Sequence, residues 1–355
     1  MSSNPVSPFR PRHVHFVGSI PLASTEGVFH QLTTKFPTQI QRIPDGETGK
    51  RNGFVRWQTE IFEGSDIRVK SHTPADKEPR VPSTSRASTT LSPSYDTYAL
   101  ESYKTFCRLR DQGIIPHGIR FQVSLPTPVN VICCVVHPED QIRAEPLYEA
   151  ALLSSLRRIQ DTIPHHDLAI QWDLAIEFAL LEFSRLDTQP EWKPPFITAP
   201  WFAPLKEGLV ERILRAVGFV DGDVEMGFHL CYGDSGHVHF IQPKDTKLLV
   251  EMANRISDGV GVERGINWIH MPVPIERMDE EYFAPLMDLR LRPETELVLG
   301  LAHAGDKEGT KGRIEVAGRF VDAFAVATEC GMGRMGGEEF EGVMGVLADV
   351  SGPGE

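Results

Sequence analysis

The stretch EMGFHLCY, residues 225–232, is a short, mostly apolar run that ends in a histidine and a cysteine two positions apart. Runs of this length, apolar on both faces, are typical of parallel strands covered on each side by helices. Seven further runs share the pattern: His13–Ile20, Thr38–Asp45, Ile119–Leu125, Leu168–Asp173, Ile266–Met271, Glu296–His303 and Phe324–Cys330. Between them lie segments of helical period, among them Glu207–Val217, Lys244–Ile256 and Lys311–Val321; Leu248, Leu249 and Met252 mark one apolar face of the second. Strands alternating with helices predict βαβ units. Eight such units predict a single (β/α)8 TIM barrel over residues 13–350, an α/β fold, preceded by a flexible N-terminus at residues 1–12. The rhythm breaks once. Lys70–Tyr95 is rich in Ser, Pro, Thr and charge, and reads as a long insertion between the second and third strands.

On that map the reactive side chains fall at strand ends. Ser19 ends the first run, Asp45 and Glu47 follow the second, and Asp173 ends the fourth. His229 and Cys231 close the fifth, His270 the sixth, His303 the seventh and Cys330 the eighth. A barrel gathers these ends on one face, where barrel enzymes build their sites. Positions i and i+2 of a strand share a side, so His229 and Cys231 offer an imidazole and a thiolate together. Cys330 is expected to reach the same ion, and such ligands select zinc over magnesium or calcium. Cys107, Cys133 and Cys134 have no histidine beside them and read as buried apolar residues.

Composition narrows the class. The chain has 355 residues and a formal net charge of -13, which disfavours nucleic acid and anionic membrane as partners. No apolar stretch approaches the roughly 20 residues of a bilayer span, and the first residues lack a secretory apolar core. Five cysteines spread over a long chain point to reduced thiols and a cytoplasmic location.

The motifs VGSI (17–20), DGE (45–47), IQWD (170–173), HLCYGD (229–234) and ECG (329–331) stand in a recognisable order. With them the chain resembles the catalytic C-terminal half of cobalamin-independent methionine synthase, in the wider superfamily that includes uroporphyrinogen decarboxylase. The resemblance implies a zinc-dependent enzyme that moves an alkyl (methyl) group to or from a small thiol. His229, Cys231 and Cys330 match three of the family's zinc ligands. The family's ligand Glu would fall near His270, so the fourth ligand is His270, a carboxylate such as Glu263, or no protein group. Ser19, Glu47 and Asp173 match residues that hold the amino-acid part of homocysteine, and His303 matches a proton donor.

Asp173 is followed by Leu174 and Ala175 where the family has Glu and Pro, which argues against homocysteine as the specific thiol. The alkyl donor could be a folate, a corrinoid protein or a small methylated compound, and thioether lyase chemistry would use the same zinc. Two other readings compete: a metal-free decarboxylase of the superfamily's other branch, with Arg42 and Arg51 flanking the DGE motif, and a non-catalytic zinc-binding barrel.

Overall fold

A computed structural model of the chain describes residues 11–63, 65–70, 91–186, 194, 197–233, 241–261 and 264–352. Most of the Lys70–Tyr95 insertion, Glu263 and the first ten residues lie outside them. Seven strands form one parallel sheet in sequential order: β1 (Arg42–Pro44), β2 (Arg120–Pro126), β3 (Leu168–Leu174), β4 (Glu225–Leu230), β5 (Trp268–Pro272), β6 (Glu296–Ala302) and β7 (Ala325–Thr328). Among the described residues ten α-helices accompany them: α1 (Thr25–Lys35), α2 (Tyr95–Asp111), α3 (Pro128–Val135), α4 (Gln141–Thr162), α5 (Ile176–Ser184), α6 (Leu205–Val217), α7 (Lys247–Val260), α8 (Glu280–Phe283), α9 (Lys307–Ala317) and α10 (Gly337–Val350). Local signals set several starts. Ser24 accepts the Gly27 N–H at the head of α1, and Asp306 accepts that of Gly309 at the head of α9.

The sheet is rolled, because inward side chains of strands that are not neighbours touch. Arg42 of β1 donates to Glu225 of β4 and Glu296 of β6, and its guanidinium stands 4.2 Å from the Trp268 ring centroid on β5. Arg42, Glu225 and Glu296 each open their strand, so this ionic cluster plugs the N-terminal end of the roll, the end that barrels use for stability. Above it, Ala169, Trp268, Val298, Ala325 and Ala327 fill the interior. A larger apolar layer packs between the sheet and the helices.

The expected first strand, His13–Ile20, is not formed as a strand; Val14 makes a single parallel bridge to Val326 of β7. Its backbone shows why. Val14 N–H donates to Gln39 and His15 N–H to Val326. The Phe16 and Val17 carbonyls instead accept from inward side chains of β2 and β3, namely Gln122, Ser124 and Gln171. Those carbonyls are satisfied without a neighbouring ladder, so the pairing stops after one residue. The second run also shortens, from Thr38–Asp45 to β1, because the chain turns at Pro37–Gln39 before it and at Gly46 and Glu47 after it; Gly46 has φ of 79°. The other six strands match the remaining six predicted runs to within a few residues at each end.

Candidate metal centre and adjoining cavity

Strand register brings the predicted side chains into one row. Asp173 of β3 pairs with His229 of β4, which pairs with His270 of β5. Just beyond β4, the Cys231 N–H donates to the Leu174 carbonyl, which holds the cysteine against the end of β3. Cys330 follows β7, in a loop fastened to the end of the first run. Ser19 Oγ accepts the Gly333 N–H and the Ser19 carbonyl accepts that of Met332. The contact needs glycine at 331, where a Cβ would stand 2.3 Å from Ser19 Oγ.

His229, Cys231 and Cys330 thereby offer three ligand atoms within 4.8 Å of one another. The two Sγ atoms are 3.9 Å apart. Two sulfurs on a tetrahedral zinc with bonds of about 2.3 Å stand about 3.8 Å apart, so the spacing fits the ion. A second observation agrees: His229 Nε2 is buried and has no hydrogen-bond partner. The Cys330 thiol is held well below its ordinary pKa, first by its hydrogen bond with Cys231, with His229 and Arg334 adding to the effect against the burial. All three features suit a cation ligand set.

His270 is not part of that set. Its Nε2 contacts the Thr328 carbonyl at 2.9 Å and its Nδ1 contacts His229 Nδ1 at 2.8 Å, so both ring nitrogens are already engaged. Of the alternatives for a fourth ligand, the described residues place His270 beside His229 and outside the group of three. Glu263, the carboxylate alternative, lies outside the described residues.

Beside the three ligands opens a cavity of about 210 Å³. Ser19, Glu47, Asp173, His229, Cys231 and Cys330 all line it, so six of the eight site residues expected from the sequence meet there. Val17, Phe54, Val55, Val135 and Ile176 supply apolar wall, and the exposed Arg56 and Arg334 also border it.

Glu47 sits in a left-handed turn with φ of 46°. Asp45 holds that turn by accepting the Glu47 N–H at 2.9 Å, and Arg51 and Ser102 in turn clamp Asp45. Burial pushes the Glu47 carboxyl up to about 7, with Asp45 and Cys330 adding to it and Arg51 opposing. Asp173 is pushed well above the usual carboxylate range, first by burial and then by Glu47. Two buried carboxyls with raised pKa values on one cavity favour sharing a proton or receiving a cation.

A stability effect follows. A carboxyl with a raised folded pKa keeps its proton where the unfolded chain has lost it, so its contribution falls as pH rises from 4.5 to about 7 and is level above that. Glu47→Gln is expected to raise Tm at pH 8 by about 2–4 °C, on the order of 1 kcal/mol, and to change it little at pH 4.5. Melting curves across that range check it; an equal shift at both ends would overturn it.

His303 stays outside the cavity lining. Its Nε2 donates to the Val273 carbonyl at 3.0 Å, and its Nδ1 lies 3.6 Å from Glu329, the residue before Cys330. Arg42 and Arg51, the basis of the decarboxylase reading, are both held in ion pairs, Arg42 at the opposite end of the roll.

Sequence reasoning missed Gln171 and His15. Gln171 donates to Asp173 Oδ1 at 2.9 Å and accepts from His15 Nε2 at 3.0 Å. Its place two residues before Asp173 on the same strand face was the available signal.

No protein-family profile matches the chain, and no curated protein matches it in sequence. Among solved structures, its fold is similar to that of a Listeria monocytogenes protein assigned as a vitamin-B12-independent methionine synthase. The TM-score is 0.50 and the identity 16%, over 98% of this chain and 98% of that one. A B12-independent methionine synthase from a Shewanella species, solved with selenomethionine, gives a TM-score of 0.47 at 16% identity, over 96% of this chain and 98% of that one. The Listeria likeness extends over the whole chain and establishes the shared fold. No helix among the described residues is long and apolar enough to cross a membrane.

Proposed function

We infer that the chain is a zinc-dependent enzyme that transfers an alkyl group, in the simplest case methyl, to or from a small thiol. The observation that carries this reading is the meeting of His229, Cys231 and Cys330 beside a cavity that also holds two carboxyls. Zinc bound by these three side chains would keep a substrate thiol as thiolate at neutral pH.

The chain's own residues do the rest. Glu47 and Asp173 receive a cationic group of the thiol substrate, and Ser19 fixes the loop that carries Cys330. The apolar wall excludes water around the reacting sulfur. In the transfer, a sulfur–carbon bond forms as the bond between that carbon and the donor breaks, and the donor atom keeps the electron pair. The proton lost by the thiol on binding balances the one that the leaving atom then takes, and solvent at the mouth of the cavity carries it; His303 lies outside the cavity lining. Thioether cleavage by the same groups is the reverse use of the site.

The test is cobalt(II)-substituted protein titrated with small aminothiols and mercapto acids, followed by turnover with methyl donors. A sulfur-to-metal absorption band that appears with one class of thiol, and transfer to that thiol, are expected. Cobalt that binds but is perturbed by no thiol would overturn the reading and leave a zinc-binding barrel without this chemistry.

A further inference from the structure

The geometry points to His270 as a positioning residue: it fixes the tautomer and ring orientation of His229, so that His229 Nε2 faces the metal as a lone pair. The inference rests on the zinc reading above and deepens it.

The argument is one of donors and acceptors. The Thr328 carbonyl can only accept, so His270 Nε2, 2.9 Å away, carries a hydrogen and donates it. His270 is fully buried, its ring against those of His15 and His229, with no carboxylate among its hydrogen-bond partners in the described residues. A buried imidazolium with no anion to pair with it would be uncompensated, so the ring is neutral. A neutral imidazole with hydrogen on Nε2 has an acceptor at Nδ1. The partner of that acceptor is His229 Nδ1 at 2.8 Å, which must donate. His229 then has its lone pair on Nε2, the buried nitrogen without a hydrogen-bond partner.

The chain of dependence runs from a backbone carbonyl of β7, through His270 on β5, to the ligand on β4. The strand register makes it possible, because His229 and His270 are direct cross-strand partners. The second nitrogen of a metal-binding histidine is commonly held by a carboxylate or a carbonyl, and loss of that partner costs about 10–100-fold in metal affinity. Here a second imidazole takes the part. It also stands where the resemblance leads one to expect a ligand, and among the described residues those that could hold the ion number three.

The test is zinc affinity by chelator competition, with X-ray absorption of the zinc protein, on the full chain and on His270→Gln and His270→Leu. Glutamine can accept from His229 Nδ1 and donate to Thr328; leucine can do neither. The wild type is expected to show one imidazole and two sulfurs on zinc. The glutamine variant is expected to keep that pattern with affinity within a few-fold, and the leucine variant to bind about 10–100-fold more weakly.

Two imidazoles in the wild-type spectrum, with one lost in His270→Gln, would overturn the inference and make His270 a ligand. So would a leucine variant that binds as tightly as the wild type. If the leucine variant does not fold, the spectra of the other two proteins decide between orienter and ligand. Wild-type protein without zinc affinity would instead fail the zinc reading itself, and this inference with it.

Discussion

Replacement of Cys231 by alanine is expected to take zinc from about one ion per chain to under about a tenth, with affinity lowered on the order of a thousandfold. The size follows from the ligand set. Cys231 supplies one of two thiolates among three described ligands, and its hydrogen bond with Cys330 is the first cause of that thiol's lowered pKa. The alanine variant therefore removes one sulfur and makes the other harder to deprotonate. His229 and Cys330 alone leave half a tetrahedral site, which water must complete.

The fold should tolerate the change. Cys231 is a small side chain beyond the end of β4, and its main structural bond, from its backbone N–H to Leu174, does not depend on the side chain. Elemental analysis of protein purified without chelator, with melting curves to show that the variant is folded, measures both halves. Full zinc content in the folded alanine variant would remove Cys231 from the site. Absence of zinc from the wild type would remove the metal centre altogether.

The parts of this site that could be read from sequence are those carried by strand ends. His229, Cys231 and Cys330 are legible because i and i+2 on a strand share a face and because a rolled parallel sheet gathers its C-terminal ends. Glu47 and Asp173 are legible from the DGE and IQWD motifs, and both line the cavity.

What could not be read depends on register and on backbone atoms. The contact of His229 with His270 requires the pairing of β4 with β5, which no local pattern fixes, and the anchor of His270 is a carbonyl, which has no residue signature. The missing first strand is similar. His13–Ile20 has the composition of a strand, but the Phe16 and Val17 carbonyls are taken by side chains that come from β2 and β3. Composition reports how apolar a segment is and leaves open which partner receives its hydrogen bonds.

Gly227→Ala is expected to destabilise the protein by about 3 kcal/mol or more, a fall in Tm of about 6–12 °C. Gly227 and Trp268 are cross-strand partners, and the indole lies over the glycine; a Cβ at 227 would stand 2.0–2.6 Å from three of its ring atoms. The ring cannot retreat. Ala169, Val298, Ala325 and Ala327 fill the space around it, and the Arg42 guanidinium stands 4.2 Å from its centroid. The effect should reach the site as well. Trp268 Nε1 can only donate, and it donates to Gln171 Oε1 at 3.3 Å, which fixes which end of that amide faces down the roll. The opposite end, the Gln171 NH2, is thereby aimed at Asp173. A displaced indole loosens the amide, and with it the carboxyl at the cavity wall. Trp268→Leu added to Gly227→Ala should therefore recover part of the stability, with a coupling of about 1–2 kcal/mol in a double-mutant cycle. The Asp173 carboxyl should stay shifted further up than in the wild type, because the Gln171 hydrogen bond that opposes its rise is weakened. Additive losses in that cycle would mean that Gly227 is required by its own backbone rather than by the ring above it.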